Sequence, residues 1–110
     1  MGGLDWKGAV QDIAGAQKFL LGKGCKKVGI LGFCMGGALT IVAASHIAGF
    51  DAVAPFYGIP DPKHYNIEKL TGKFQGHFGE LDALKGFSDP ETAKAFEAKL
   101  KAFNHNAEVM

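Results

Sequence analysis

The stretch Val28-Gly29-Ile30-Leu31-Gly32-Phe33-Cys34-Met35-Gly36-Gly37-Ala38 decides how the rest of the chain is read. Its first half belongs to an apolar run, Lys27 to Phe33, suited to a strand buried on both faces. Its second half opens an apolar helix, Met35 to about Ile47, carried by Ala38, Leu39, Val42 and Ala43 and ending near Gly49. Between them lies a G-x-nucleophile-x-G pattern with Cys34 at its centre. In that pattern the central residue sits on a strained turn that lifts its side chain above the sheet. Residues two positions away must then be nearly free of side-chain atoms, which Gly32 and Gly36 satisfy. Gly37, followed by Ala38, lets the helix start close to the sheet. A helix N-terminus favours a thiolate, and the backbone N–H of Met35 is placed to donate to an oxyanion.

Other glycine-rich ligand loops fail on pattern. No Lys-Ser/Thr follows these glycines, which excludes a P-loop. Gly22-Lys23-Gly24 precedes the strand rather than following it, which excludes a dinucleotide fingerprint. The remaining reading of the segment is a buried structural cysteine in a glycine-rich turn.

Outward from this segment, helices and strands alternate. Trp6, Ala9, Ile13, Ala16 and Leu20 recur at helical steps over residues 5–21, with Asp5 as N-cap and Gly22 and Gly24 as stops. Asp51 to Phe56 reads as another buried strand, and Gly58 to Gly72 as a loop with a helical turn at Ile67 to Leu70. Phe74 to Phe78 is a weaker strand closed by Gly79. The last helix starts near Ser88 or Asp89, with Pro90 in its first turn and Ser88 and Glu91 at capping-box spacing. Ala93, Phe96, Leu100 and Phe103 form its apolar stripe, and Glu97 and Lys101 can pair outside it. Glu108 to Met110 reads as the opening of a further strand. The order predicts a single α/β domain over residues 1–110, with a mostly parallel sheet of about four strands flanked by helices.

Composition narrows the function classes. Among 110 residues, 47% are hydrophobic and 21% charged, with twelve lysines, no arginine, and a formal charge of +1. A balanced charge without basic clusters argues against nucleic acid or an anionic membrane as partner. No apolar run of about 18 residues is present, and no signal peptide is visible at the N-terminus. An extended run between Cys25 and Cys34, at ~3.3 Å per residue, places them roughly 30 Å apart. A disulfide requires about 7 Å between Cα atoms, so both are expected as free thiols in a reducing, cytoplasmic compartment.

The segment Gly32-Phe33-Cys34-Met35-Gly36-Gly37 resembles the nucleophile segment of the dienelactone hydrolase family, the carboxymethylenebutenolidases. Phe56-Tyr57-Gly58 resembles the family's segment after the next strand, and His77-Phe78-Gly79-Glu80-Leu81-Asp82 its F-G-x-x-D turn. The resemblance implies an α/β-hydrolase fold of about eight strands and a Cys-His-Asp triad that hydrolyses small esters or lactones without metal or cofactor. On it, Cys34 is the nucleophile, Met35 supplies the oxyanion N–H, and Asp82 orients the histidine. Glu80 reads as solvated, and Asp51, Asp61 and Asp89 as turn or cap residues.

The family's histidine lies in a G-H-x-F-like segment after the next strand. None of His46, His64, His77 and His105 has that context, so no catalytic histidine is identified. The strands that precede the first helix in the family are likewise not found, and the chain reads as a partial domain. Its elbow strand would then have an unpaired edge, through which self-association is expected. Two functions stay open: a cysteine-dependent hydrolase of small esters or lactones, or a non-catalytic α/β fragment that binds a partner or responds to oxidation through its thiol.

Overall fold

A computed structural model describes residues 5–70, 72–79, 89–104 and 107–109. Helix α1 spans Trp6–Gly22, strand β1 Gly29–Phe33, helix α2 Met35–His46 and strand β2 Ala52–Phe56. Two short 3₁₀ turns, Pro62–His64 and Ile67–Lys69, lead to β3 (Lys73–Gly76), α3 (Pro90–Lys101) and β4 (Ala107–Val109). All neighbouring strands pair in parallel, in the order β1-β2-β3-β4. This is the α/β arrangement expected from the alternation of elements.

The chain's polar residues punctuate these elements. Asp5 accepts a hydrogen bond from the Gly8 N–H at 3.0 Å and caps α1, while Gly24, at φ 97°, takes the chain out of it. Asp61 accepts from the Lys63 N–H, and Asn66 from the Glu68 N–H, to start the two 3₁₀ turns. Asp51 does more than turn the chain. Its carboxylate accepts from the Val28 N–H at 2.9 Å, its N–H donates to the Val28 carbonyl at 2.8 Å, and its carbonyl accepts from Lys73. One residue thus pins the starts of three strands. At α3 the cap is Asp89, which accepts from the Thr92 N–H and the Thr92 hydroxyl; the capping box expected of Ser88 cannot be followed, since Ser88 lies outside the described residues.

Helices α2 and α3 cover the same face of the sheet. Ile41 and Ala44 of α2 meet Val53 of β2, Phe74 of β3, Ala107 of β4, and Ala93, Phe96 and Leu100 of α3 in one core, closed by Ile59 and Leu70. The smallest dimension, 21 Å, leaves room for one helical layer on one sheet, each about 10 Å thick. Asn104, 5% exposed, secures the far end by donating to the carbonyls of Leu70 and Gly72 at 2.7 and 2.8 Å. Tyr65 packs against the Phe96 ring, and burial, aided by the charge of Asp61, pushes its hydroxyl pKa up.

Three expectations are corrected. The β1 strand is not buried on both faces: it alternates, with Leu31 64% and Phe33 55% exposed on the face that α2 and α3 leave open. Continuous apolarity in a strand does not by itself reveal which face receives a helix. Phe103 falls after the end of α3 and is exposed, while Ala93, Phe96 and Leu100 are buried as expected. In α1 the apolar stripe is only partly covered; α1 packs on α2, and its one buried residue is Gln17, whose amide donates to the Ala48 carbonyl at 3.1 Å. The outer pair Glu97–Lys101 forms at 3.1 Å.

Candidate active site

Cys34 lies between the last residue of β1 and the first of α2, with φ 58° and ψ −120°. A non-glycine residue in that region stores roughly 1–3 kcal/mol of backbone strain, so neighbouring contacts must hold it there. They are visible. The Cys34 N–H donates to the Phe56 carbonyl at 2.9 Å, and its own carbonyl accepts from Gly37 and Ala38 at 2.9 and 3.2 Å. The side chain is exposed and the thiol is free.

The surrounding glycines differ in what they provide. A Cβ on Gly32 would collide with the Gly36 carbonyl and lie 2.7 Å from the Thr40 hydroxyl oxygen. That hydroxyl donates to the same Gly36 carbonyl at 2.8 Å. A Cβ on Gly37 would lie 2.5 Å from the Phe56 carbonyl oxygen, which is how α2 starts against β2. Gly36 is different: a Cβ there meets nothing within 4 Å. Its part in the packing is its backbone, which lies against Gly32. A further glycine of the site, to which local spacing assigns no part, is Gly58, where a Cβ would collide with the Cys34 carbonyl and lie 2.8 Å from the Ala38 nitrogen. Its signal was Phe56-Tyr57-Gly58, and the structure gives that segment a physical role: Tyr57 turns at φ 39° and brings Gly58 under the turn.

Met35 is the first residue of α2, and the opening N–H groups of an α-helix have no partner within the helix. Its N–H belongs to that set, one residue from the Cys34 sulfur. On the open face of the sheet the rings of Phe33, Phe56 and His77 stack in a row, with centroids 4.6 and 4.5 Å apart, and Tyr57 lies 6.4 Å from Phe33.

The histidines of the described residues are engaged elsewhere. The ring of His46 meets the His64 carbonyl at 2.9 Å, and the ring of His64 stacks on Trp6. His77 stacks on Phe56 and meets the Gln75 side-chain oxygen at 2.9 Å. Asp82, Glu80 and His105 lie outside the described residues. Among the described residues no cluster of His, Cys, Asp and Glu could hold a metal ion, and no helix is long and apolar enough to cross a membrane.

Parallel strands in sequential order, helices on one face, and a positive-φ residue between a strand and an apolar helix define part of an α/β-hydrolase fold. The chain belongs to the Dienelactone hydrolase family, whose sequence pattern matches residues 2–110. It is also 46% identical over 46 residues to a protein of Aquifex aeolicus (strain VF5) named "Putative carboxymethylenebutenolidase". That match covers 41% of this chain and 20% of the relative.

Proposed function

We propose that the chain carries the nucleophile segment of a cysteine-dependent hydrolase of small esters or lactones. The observation behind this reading is the Cys34 turn: an exposed thiol on strained backbone at φ 58°, directly before the first N–H groups of α2. The Cys34 sulfur adds to the ester carbonyl carbon, and the carbonyl electron pair moves to oxygen, where the Met35 N–H stabilises it. Collapse of this intermediate breaks the C–O bond and expels the alcohol, which takes up a proton. Water then cleaves the thioester, releasing the acid and returning the thiol.

The second half-reaction needs a base. Family resemblance gives Asp82 the task of orienting a histidine, and the rings of His46, His64 and His77 are each held by another partner. A thiolate attacks an activated ester without a base, whereas water needs one to cleave the thioester, so with no described histidine in that role deacylation is expected to be the slower step.

Cys25 supplies an internal control, because it is also exposed and free but follows the C-terminal end of α1. Incubation with p-nitrophenyl acetate, followed by intact mass and peptide mapping, is expected to give one long-lived acetyl group on Cys34. Cys25 should acetylate at least about tenfold more slowly, lacking helix N-terminal donors. Equal labelling of the two thiols, or undiminished labelling in Cys34→Ala, refutes the reading.

Self-association is the second part of the proposal. The outer edge of β1 pairs with no strand among the described residues, and Leu31 and Phe33 project from the open face beside it. Sedimentation velocity is expected to show a dimer or larger species that Leu31→Lys with Phe33→Lys converts to monomer. A parent chain that sediments as a monomer at all concentrations removes this part.

A further inference from the structure

A cavity lies away from Cys34, where the N-terminal half of α1 meets the last turn of α2 and the first 3₁₀ turn. Its volume is about 320 Å³, within the range of about 300–1,000 Å³ typical of small-molecule sites. Trp6, Val10 and Val42 give it apolar walls. The Trp6 ring is held against His64, with centroids 5.0 Å apart and planes inclined by 23°. The His46 ring in turn bonds the His64 carbonyl at 2.9 Å, which ties α2 to the 3₁₀ turn. The aromatic wall is therefore fixed by contacts from three elements.

The charged side chains that line this cavity are Lys7 and Lys63. His46 and His64 line it too, and no carboxylate does. The nearest acids along the chain, Asp5, Asp12 and Asp61, do not line the cavity, and the carboxylates of Asp5 and Asp61 are held by the backbone N–H groups of Gly8 and Lys63. Among the described residues the ion pair formed is Lys101–Glu97, and neither Lys7 nor Lys63 has a carboxylate partner. Two ammonium groups unpaired among the described residues, beside an apolar pocket, attract an anion, and the pocket selects one with an apolar body.

We propose that this cavity binds a small carboxylate with an aryl or comparably compact apolar body. The body lies against Trp6, Val10 and Val42, and the carboxylate is held by Lys7 and Lys63. The site is independent of Cys34 and of the hydrolase reading.

Trp6 is the chain's single tryptophan, so its fluorescence reports this cavity alone. Titration with benzoate is expected to change the emission saturably. Benzamide, the same size without the charge, should bind at least about tenfold more weakly, and Lys7→Gln with Lys63→Gln should weaken benzoate by a similar factor. Cys34→Ala should bind benzoate as the parent does, which separates this result from the fate of the hydrolase reading. Circular dichroism of the lysine variant checks that it is folded, as expected for two exposed positions. Absence of saturation overturns the proposal. So does equal affinity for benzamide, which would show an apolar slot without anion recognition, and so does inorganic phosphate competing as well as benzoate, which would show an unselective basic patch. Benzoate binding undiminished in the folded lysine variant overturns it too.

Discussion

Gly58→Ala is expected to destabilise the chain by about 3 kcal/mol and to slow acetylation of Cys34 at least about tenfold. The added methyl group would enter the space of the Cys34 carbonyl and approach the Ala38 nitrogen to 2.8 Å. Neither is the end of a flexible side chain. Both belong to the backbone of the turn, where the Ala38 N–H donates to that same carbonyl at 3.2 Å. Relief requires moving the start of α2 away from β2, which would break the Cys34 N–H bond to Phe56 and unseat Gly37 from the Phe56 carbonyl. The strained φ of Cys34 would then lose the contacts that impose it. A fall in Tm of more than about 10 °C by calorimetry fits a cost of that size in a small domain. Gly36→Ala is the matched control: its Cβ meets open space, so its Tm should stay close to the parent's. If Gly58→Ala melts with the parent, Gly58 does not support the turn.

These two glycines also show what the sequence could and could not reveal. The position of Cys34 between β1 and α2 was legible, because an apolar run, a glycine-flanked residue and an apolar helix follow one another without a break. The parallel sheet was legible from the alternation of elements, and Asp5 and the Glu97–Lys101 pair from local spacing. Those signals act within about four residues. Gly58 touches the turn from 24 positions away, and no local pattern reports a contact across that distance. Gly36 misled in the opposite way: a small residue at the expected spacing suggested that its own side-chain space was closed. For the same reason the sequence could not tell which face of β1 meets the helices. Leu31, Phe33 and Ile30 are alike in character, and only the side on which α2 returns distinguishes them.

That distinction sets the other large effect. Phe74→Ala is expected to cost about 3–5 kcal/mol, measured by urea unfolding, whereas Phe33→Ala should cost well under about 1 kcal/mol at dilutions where the chain is monomeric. Phe74 is 2% exposed and stands at the centre of the core, with its ring 5.7 Å from that of Phe96. It also holds β3 in place where the ladder is short: β2 and β3 pair in strand register only at Ala52–Lys73 and Val53–Phe74. Removing the ring therefore empties a cavity at the junction of β3 and α3. A loss of that size consumes much of the roughly 5–15 kcal/mol by which domains are stable. Phe33 stacks on Phe56 across the strands but remains 55% exposed, so its truncation in a monomer forfeits little burial. The pair of variants thus reads which face of the sheet is covered in solution. Equal costs at the two positions would mean that the open face is buried after all. Among the described residues no helix lies on that face, so a Phe33→Ala cost that falls as the protein is diluted would identify a second copy as the cover.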